Sequence, residues 1–511
     1  MKKKIINLSI LSSLLLGSTL SLNSCRDAID IVQDGEINQE VFFSSVDNMD
    51  KYLLGDVYPN IDNSNAVYLT SIITDEVRPG KDSGGQGYGI HRLYLDSSDE
   101  LSRSIWLQNN LTINRATRLI EGAKLVTPTA NETGAYNNII AQARAIRALA
   151  YLQQLTYFSE DMSNENALGI LVLKDKVPTA ETKLPRSTNK EVYAAIEEDL
   201  TFAENNLLNQ SSRYYVSKDL VNAIRARLNL YRGKYSEAKQ YAQKVLDLSR
   251  LSLSKASLPG ATVDPNNQDW VDSFYADNSS SPYRKIWSDA AQGEAIFTLS
   301  RPEVGRSYTF INSRYNTNLS RLDGQPLWVM GLNLFNILDN TPGDIRRYAF
   351  IDPSTDLVKQ PDQIIIDKYP GKGSAALKND VKVFRLSEMY FILAECAVND
   401  GDLASARNYI QQVRKARNYS GTATTPNYTS AQEALADILK ERRVELAFEG
   451  HRYIDLKRLA AKAGVTMDRN SADDISGVPV KNLENGDYRY TLPIPLSEIA
   501  GNPGIQQNRG Y

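Results

Sequence analysis

Between Leu435 and Arg458 the apolar and polar positions repeat with helical spacing, yet charged residues stand where a core is expected. At 100° per residue Leu435, Ile438, Leu439 and Leu446 share one arc with Arg442 and Glu449. Val444, Ala447 and Phe448 make a second apolar strip on the opposite side, so the helix should be packed between neighbours. Gly450 then allows a sharp turn into a segment where Arg452, Asp455 and Arg458 repeat an i, i+3 charge ladder. Because a buried charge without a partner is costly, Arg442, Glu445, Glu449, Arg452 and Asp455 are expected to form structural ion pairs. Glu445 and Glu449 are the nearest partners for Arg442. The spacing of Glu441, Glu445 and Glu449 also admits a carboxylate metal site or a glycosidase acid pair, but no Glu-x-x-His or His-Glu-x-x-His motif accompanies it.

Elsewhere the periodicity predicts amphipathic helices joined by short turns. They fall over 46–58, 101–125, 141–161 and 191–208, followed by a helix–turn–helix over 220–247 with Gly233 at its turn. The same design returns over 383–417 with Gly401 at the turn, and both pairs have the small-residue and aromatic placement of a tetratricopeptide unit. The expected fold is therefore mostly α, a tetratricopeptide-like scaffold of helical pairs. A large irregular, loop-rich insertion over 249–380 interrupts it, with the C-terminal helical region and a docking tail over 381–511. The N-terminal helical region spans 41–248. Arg144 and Arg147 read as packing charges, and Asp344 with Arg346 as a structural pair.

Composition narrows the function. With 42% hydrophobic residues the 511-residue chain can bury a large core. Its formal charge of −3, which moves to −6 once the three leading lysines are discounted, argues against a nucleic-acid partner. Lys2, Lys3 and Lys4 precede a short, interrupted apolar run ending at Leu22, Asn23, Ser24 and Cys25, the layout of a signal peptide over 1–24. The residues before Cys25 resemble a bacterial lipobox. Cys25 would then be lipidated and residues 25–40 would be a tether. Cys396 is left as the one other thiol, a core cysteine on an apolar helical run.

Two regions depart from the helical pattern. Residues 78–94 combine five glycines with Arg78, Tyr88, His91 and Tyr94, which suits either a stacking ligand such as a sugar or a plain surface loop. The insertion holds Trp270, Tyr275, Tyr283, Trp287, Tyr308, Tyr315 and Trp328 among many Asn, Asp, Ser and Gly. Long irregular insertions in a helical scaffold are more often functional than idle. Its aromatics could equally be local hydrophobic anchors or a platform on which sugar rings stack.

The run Glu-Arg-Arg-x-Glu-Leu-x-Phe-Glu-Gly-x-Arg-x-x-Asp-Leu-x-Arg from Glu441 to Arg458 resembles the C-terminal signature of the SusD/RagB family of outer-membrane lipoproteins. Trp106 and Asn114 on the 101–125 helix, and Pro493-Ile494-Pro495 followed by Glu498 and Asn502-Pro503, are similar to further family patterns. The resemblance implies a surface-exposed lipoprotein of the cell outer membrane, engaged in nutrient uptake and anchored by its lipid. It would capture an oligosaccharide and pass it to a SusC-like TonB-dependent transporter, as a binding protein rather than an enzyme, with no cofactor and no metal. A peptide-binding lid of the same architecture, using Arg78, Lys81 and Asp82, stands as the alternative. A glycosidase, or an assembly scaffold whose loop aromatics are buried, stand further off.

Overall fold

In a computed structural model, residues 43–511 are described, apart from 82, 174–176, 178–181, 261, 277–278, 303–325, 373–374, 376–377 and 475–478. The signal peptide, Cys25 and the tether lie outside the described residues, as do Tyr308 and Tyr315.

The helical scaffold is laid down as consecutive antiparallel neighbours. Its long helices are α1 (Ser64–Ile73), α2 (Glu100–Ala123), α3 (Thr133–Phe158), α4 (Asn189–Asn206), α5 (Lys218–Tyr231), α6 (Tyr235–Leu248), α7 (Leu386–Asn399), α8 (Leu403–Arg417), α9 (Ala431–Glu445) and α10 (Arg452–Ala463). Packing runs from α2 to α3 to α4, within the pairs α5/α6 and α7/α8, and from α6 across to α7. Local chemistry sets the ends. Asp99, Ser217 and Ser430 cap α2, α5 and α9 with side-chain oxygens, and Thr188 with Glu191 forms a capping box on α4. Gly233 and Gly401 turn each pair with φ of 73° and 77°, a conformation in which a side chain would be strained. Two predicted boundaries move. α3 begins at Thr133 because its first turns are exposed and carry no apolar signal, and the 46–58 helix stops at Tyr52 and continues as a π turn and a 3₁₀ turn around Pro59.

The insertion is fastened to this scaffold by two antiparallel ribbons. β1 (Val77–Pro79) pairs with β3 (Trp328–Met330), and β2 (Ala295–Leu299) pairs with β4 (Val381–Arg385), which runs directly into α7. All four strands are buried along their length. The main hydrophobic core draws on both the scaffold and the insertion. A second, smaller core lies among α7, α8 and α9. The 435–448 segment contributes to both: Ile438 and Leu446 enter the small core, while Leu439, Val444, Ala447 and Phe448 enter the large one.

Candidate functional site

The charged segment is the centre of a buried ionic network. α9 ends at Glu445, and Phe448 and Gly450 take left-handed backbone at φ 61° and 85°, turning the chain towards α10. Glu445 accepts from three guanidiniums, those of Arg385 (2.8 Å), Arg417 (2.8 Å) and Arg346 (3.0 Å). Burial pushes its carboxyl up, but Arg417, Arg385 and Arg346 override that and hold it well below the ordinary carboxylate range. Glu449 is bound by Lys368 and Arg385, each at 2.7 Å, and Glu441 by Arg346 (2.8 Å) and Arg414 (2.7 Å). Glu441 and Glu449 are likewise lowered by these cations in spite of burial. Three carboxylates held ionised in this way cannot serve as the proton donor of a glycosidase.

The partner expected for Arg442 is corrected. Its guanidinium meets Asp455 at 2.7 Å and Glu395 at 3.9 Å, not Glu445 or Glu449, whose oxygens are already occupied by cations from other elements. Within α10, Asp455 and Arg458 make the i, i+3 pair at 2.9 Å, whereas Arg452 reaches across the fold to Asp75 at 2.7 Å. Asp344 and Arg346 pair at 2.7 Å, and Arg147 is bound to Asp199 at 2.8 Å.

Most aromatic residues expected to stack on a ligand belong to the core instead. Tyr283 and Trp287, both fully buried, roof the ionic network: the Arg417 guanidinium lies 4.4 Å from the Tyr283 ring, and the Lys368 ammonium 4.3 Å from Trp287. Trp270 is buried and stacks on Phe274 at 5.1 Å. Trp328 is buried too, its Nε1 donating to Tyr68 Oη at 2.9 Å. These four rings have no face free for a sugar. His91 is also buried, with Nδ1 3.1 Å from the Ile72 carbonyl, and burial followed by the nearby Arg469 brings its pKa down to about 3. Arg78, 3% exposed, faces Asp362 at 3.4 Å and cannot reach out to a ligand.

What remains at the surface is the rim of the 78–94 loop. Trp328 is the hub beneath it, 5.3 Å from His91 and 6.3 Å from Tyr88, so the β1–β3 ribbon brings the two irregular regions together. Tyr88 is half-buried, with Arg92 5.1 Å above its ring, and Tyr94 is 66% exposed, with the Lys481 ammonium 5.1 Å away. Arg92 is fixed by a bidentate contact with Asp474, both bonds at 3.1 Å. Sequence reasoning missed Arg92, Asp474 and Lys481, because almost four hundred residues separate them along the chain. Among the described residues, no group of three or more His, Cys, Asp or Glu is placed to hold a metal ion.

The C-terminal tail closes the body. Leu492 N donates to the Tyr157 carbonyl at 2.8 Å, and Trp106 Nε1 donates to Glu498 Oε2 at 2.9 Å. The proline-ordered tail therefore docks on α2 and α3 of its own chain.

These features define a tetratricopeptide-like helical scaffold with long loops fastened to it by short ribbons. The SusD family model matches residues 340–511. A SusD-like protein of Formosa agariphila is 24% identical over 553 residues, covering all of both chains. The starch-binding protein SusD of Bacteroides thetaiotaomicron is 30% identical over 132 residues, 26% of this chain and 22% of that one. Among solved structures, a SusD superfamily protein of Bacteroides vulgatus superposes with a TM-score of 0.72 at 20% identity, covering 92% of this chain and 99% of its own. A SusD-like carbohydrate-binding protein of the same species gives 0.69 at 19% identity, covering 90% and 97%. Residues 340–511 thus carry the SusD/RagB family pattern, and the chain is similar to SusD-like proteins over its whole length.

Proposed function

We propose that this protein is a carbohydrate-binding lipoprotein of the cell surface, anchored through Cys25, that captures oligosaccharides and presents them to a SusC-like TonB-dependent outer-membrane transporter. The observation that carries the binding part is Tyr94, exposed beside the half-buried Tyr88 on a loop pinned from below by Trp328 and the β1–β3 ribbon. A flat aromatic held on a rigid support loses little entropy on stacking against the C–H face of a sugar. Lys481 and the Arg92 guanidinium, held in place by Asp474, stand next to it to take hydroxyl groups. Concentrating ligand at the transporter mouth needs only this binding and a membrane tether. The SusD-like relatives, one of them a starch-binding protein, support the ligand class.

The test is calorimetry on the purified mature protein against oligosaccharides and short peptides, with co-purification from detergent-solubilised outer membranes to find the transporter. Tyr94→Ala should weaken glycan binding about tenfold, or roughly 1.4 kcal/mol. Binding of peptides with no response to any glycan would overturn the carbohydrate reading, and a lipoprotein recovered without a β-barrel partner would overturn the transporter role.

A further inference from the structure

A cavity of about 750 Å³ is lined by no residue of the 78–94 loop or of the insertion. Its walls are the turn that follows α3 (Glu160 to Ser163), the α5–α6 turn, α10, and the tail around 486–491 and 509–510. The volume is that of a small-ligand pocket, roughly 300–1,000 Å³. Two features of its lining point to a particular ligand chemistry.

The first is Lys457, a partly buried lysine of α10. Its Nζ donates to the Ser159 carbonyl at 2.6 Å and to Thr491 Oγ1 at 2.9 Å, which leaves one of its three donors unused. Among the described residues no carboxylate lies within ion-pairing distance of Lys457, nor of Lys462 or Arg509 on the same rim. The neighbouring acids are otherwise engaged: Glu160 accepts from the Arg509 amide (2.8 Å), Asp161 from Ser163 (2.7 Å), and Asp487 is paired with Arg489 (2.6 Å). Arg458, next along α10, is held by Glu395 and Asp455. An ammonium that lines the cavity with one donor unused and no carboxylate in direct contact can receive an anion entering it.

The second is a ring beside it. Tyr488 is 42% exposed and braced edge-on by Tyr511 at 5.1 Å, with the Arg489 guanidinium 5.6 Å from the ring. The bracing is built in, since Gly510 at φ 94° lies where a Cβ would run into the Tyr488 ring. Gly486 at φ 82° opposes no atom within 4 Å, so bare backbone borders the opening. Tyr235, half-buried with its hydroxyl 3.4 Å from Lys462 Nζ, stands on the α5–α6 side.

We propose that this cleft is a second ligand site, for an acidic carbohydrate, in which Lys457 receives the carboxylate of a uronic acid and Tyr488 lies against its sugar ring. The choice of a sugar rests on the carbohydrate-binding reading above; the preference for a carboxylate does not. Burial draws the Lys457 ammonium down to about 7 while Asp161 and Glu160 pull the other way. The cleft is otherwise faced by Tyr231 and Tyr235, by Lys462, by Asp487, Tyr488 and Tyr490, and by Arg458 and Arg509, and no histidine lines it. Lys457 is thus the group that titrates near neutrality, and a carboxylate that needs it charged must bind more weakly as it loses its proton.

The experiment is isothermal calorimetry of the full mature chain with tetragalacturonate, a neutral galactose tetramer, an acidic tetrapeptide and sodium acetate, in two buffers of different ionisation enthalpy. Tetragalacturonate should bind with proton uptake at pH 7.5, and its affinity should fall about tenfold between pH 6 and pH 8. Lys457→Met should abolish both the binding and the proton uptake. Tyr488→Ala, at an exposed position, should weaken binding about tenfold without altering proton uptake per site. Tyr94→Ala should leave this binding unchanged, which separates the cleft from the rim: loss of binding in Tyr94→Ala but not in Lys457→Met would overturn the cleft while leaving the proposed function standing. Equal binding of the neutral tetramer, pH-independent binding, or equal affinity for the peptide or acetate would each overturn it as well.

Discussion

Replacing Glu445 with Gln tests whether the ionic network holds this fold together. The carboxylate has no exposed surface and takes four charge-assisted bonds, one to each oxygen from Arg417 and the others from Arg385 and Arg346. Gln retains one acceptor oxygen and sets an NH₂ donor against two of these guanidinium donors. Breaking one partner of a buried ion pair costs about 3–5 kcal/mol, because the remaining charges stay buried without compensation. Unfolding entropy of about 2.1 cal/mol/K per residue, over a body of roughly 470 residues, amounts to about 1 kcal/mol/K. The expected effect is thus a fall in Tm of about 4 °C at pH 7, read by differential scanning calorimetry. Asp47→Asn, which breaks the exposed Lys51 pair, should shift it by less than about 1 °C. The sign with pH follows from the depressed carboxyl: its stabilisation is full above the unfolded value of about 4.5 and is lost as pH falls towards the folded one. The gap between wild type and Glu445→Gln should therefore narrow from pH 5 to pH 3.5. A variant within about 1 kcal/mol of wild type at pH 7, or a gap independent of pH, would refute the reasoning.

Glu76 should behave in the opposite way. Burial pushes its carboxyl up to about 7 despite bonds from Ser71 Oγ (2.7 Å) and the Phe448 amide (3.1 Å), so it costs stability as pH rises from 4.5 to 7, by about 3 kcal/mol in all. Glu76→Gln should raise Tm at pH 8 and leave it unchanged near pH 4.5; equal shifts at both values would contradict this. Hydrogen exchange should find the amides of β2 as protected as those of α7, since Glu294–Arg417 (2.8 Å) and the β2–β4 ribbon bind the insertion to the scaffold. Faster exchange throughout β2 would show that the insertion opens independently.

How much of this was legible in the sequence depended on the range of the interaction. The helix pairs could be read because their periodicity, caps and turn glycines act within a few residues: Gly233 and Gly401 mark their turns, and Thr188 with Glu191 marks the start of α4. The charges of the 441–458 segment could be identified as buried, because Arg442 and Glu449 share an arc with leucines. Their partners could not be identified. Arg442 finds Asp455, and Glu445 finds arginines from α8, β4 and the start of the Arg346–Ala349 helix, pairings that only the fold creates. The loop aromatics failed for a related reason. A tryptophan among Asn, Asp and Ser has the same local sequence whether it faces solvent or roofs a buried cation, and Trp287 is in the second position because Lys368 and Arg385 are brought beneath it.

This last contact ties together what the sequence had kept apart. The segment read as a structural buckle and the rings read as a ligand platform are one construction: Tyr283 and Trp287, from the insertion, sit on the cations that neutralise Glu445 and Glu449. An ionic cluster alone would stabilise little after desolvation, but it has direction, and each guanidinium accepts partners in only a few orientations. Covered by rings that exclude water, it fixes where the insertion departs from the scaffold. The 78–94 rim inherits that fixity through Trp328 and the β1–β3 ribbon. Residues beyond the rim can then vary with the ligand without any change in the scaffold, so the segment that names the family carries no information about the sugar. In the role proposed above, a frame so held would meet its transporter as one body, and handing over a ligand would require the whole chain to move rather than a loop to bend.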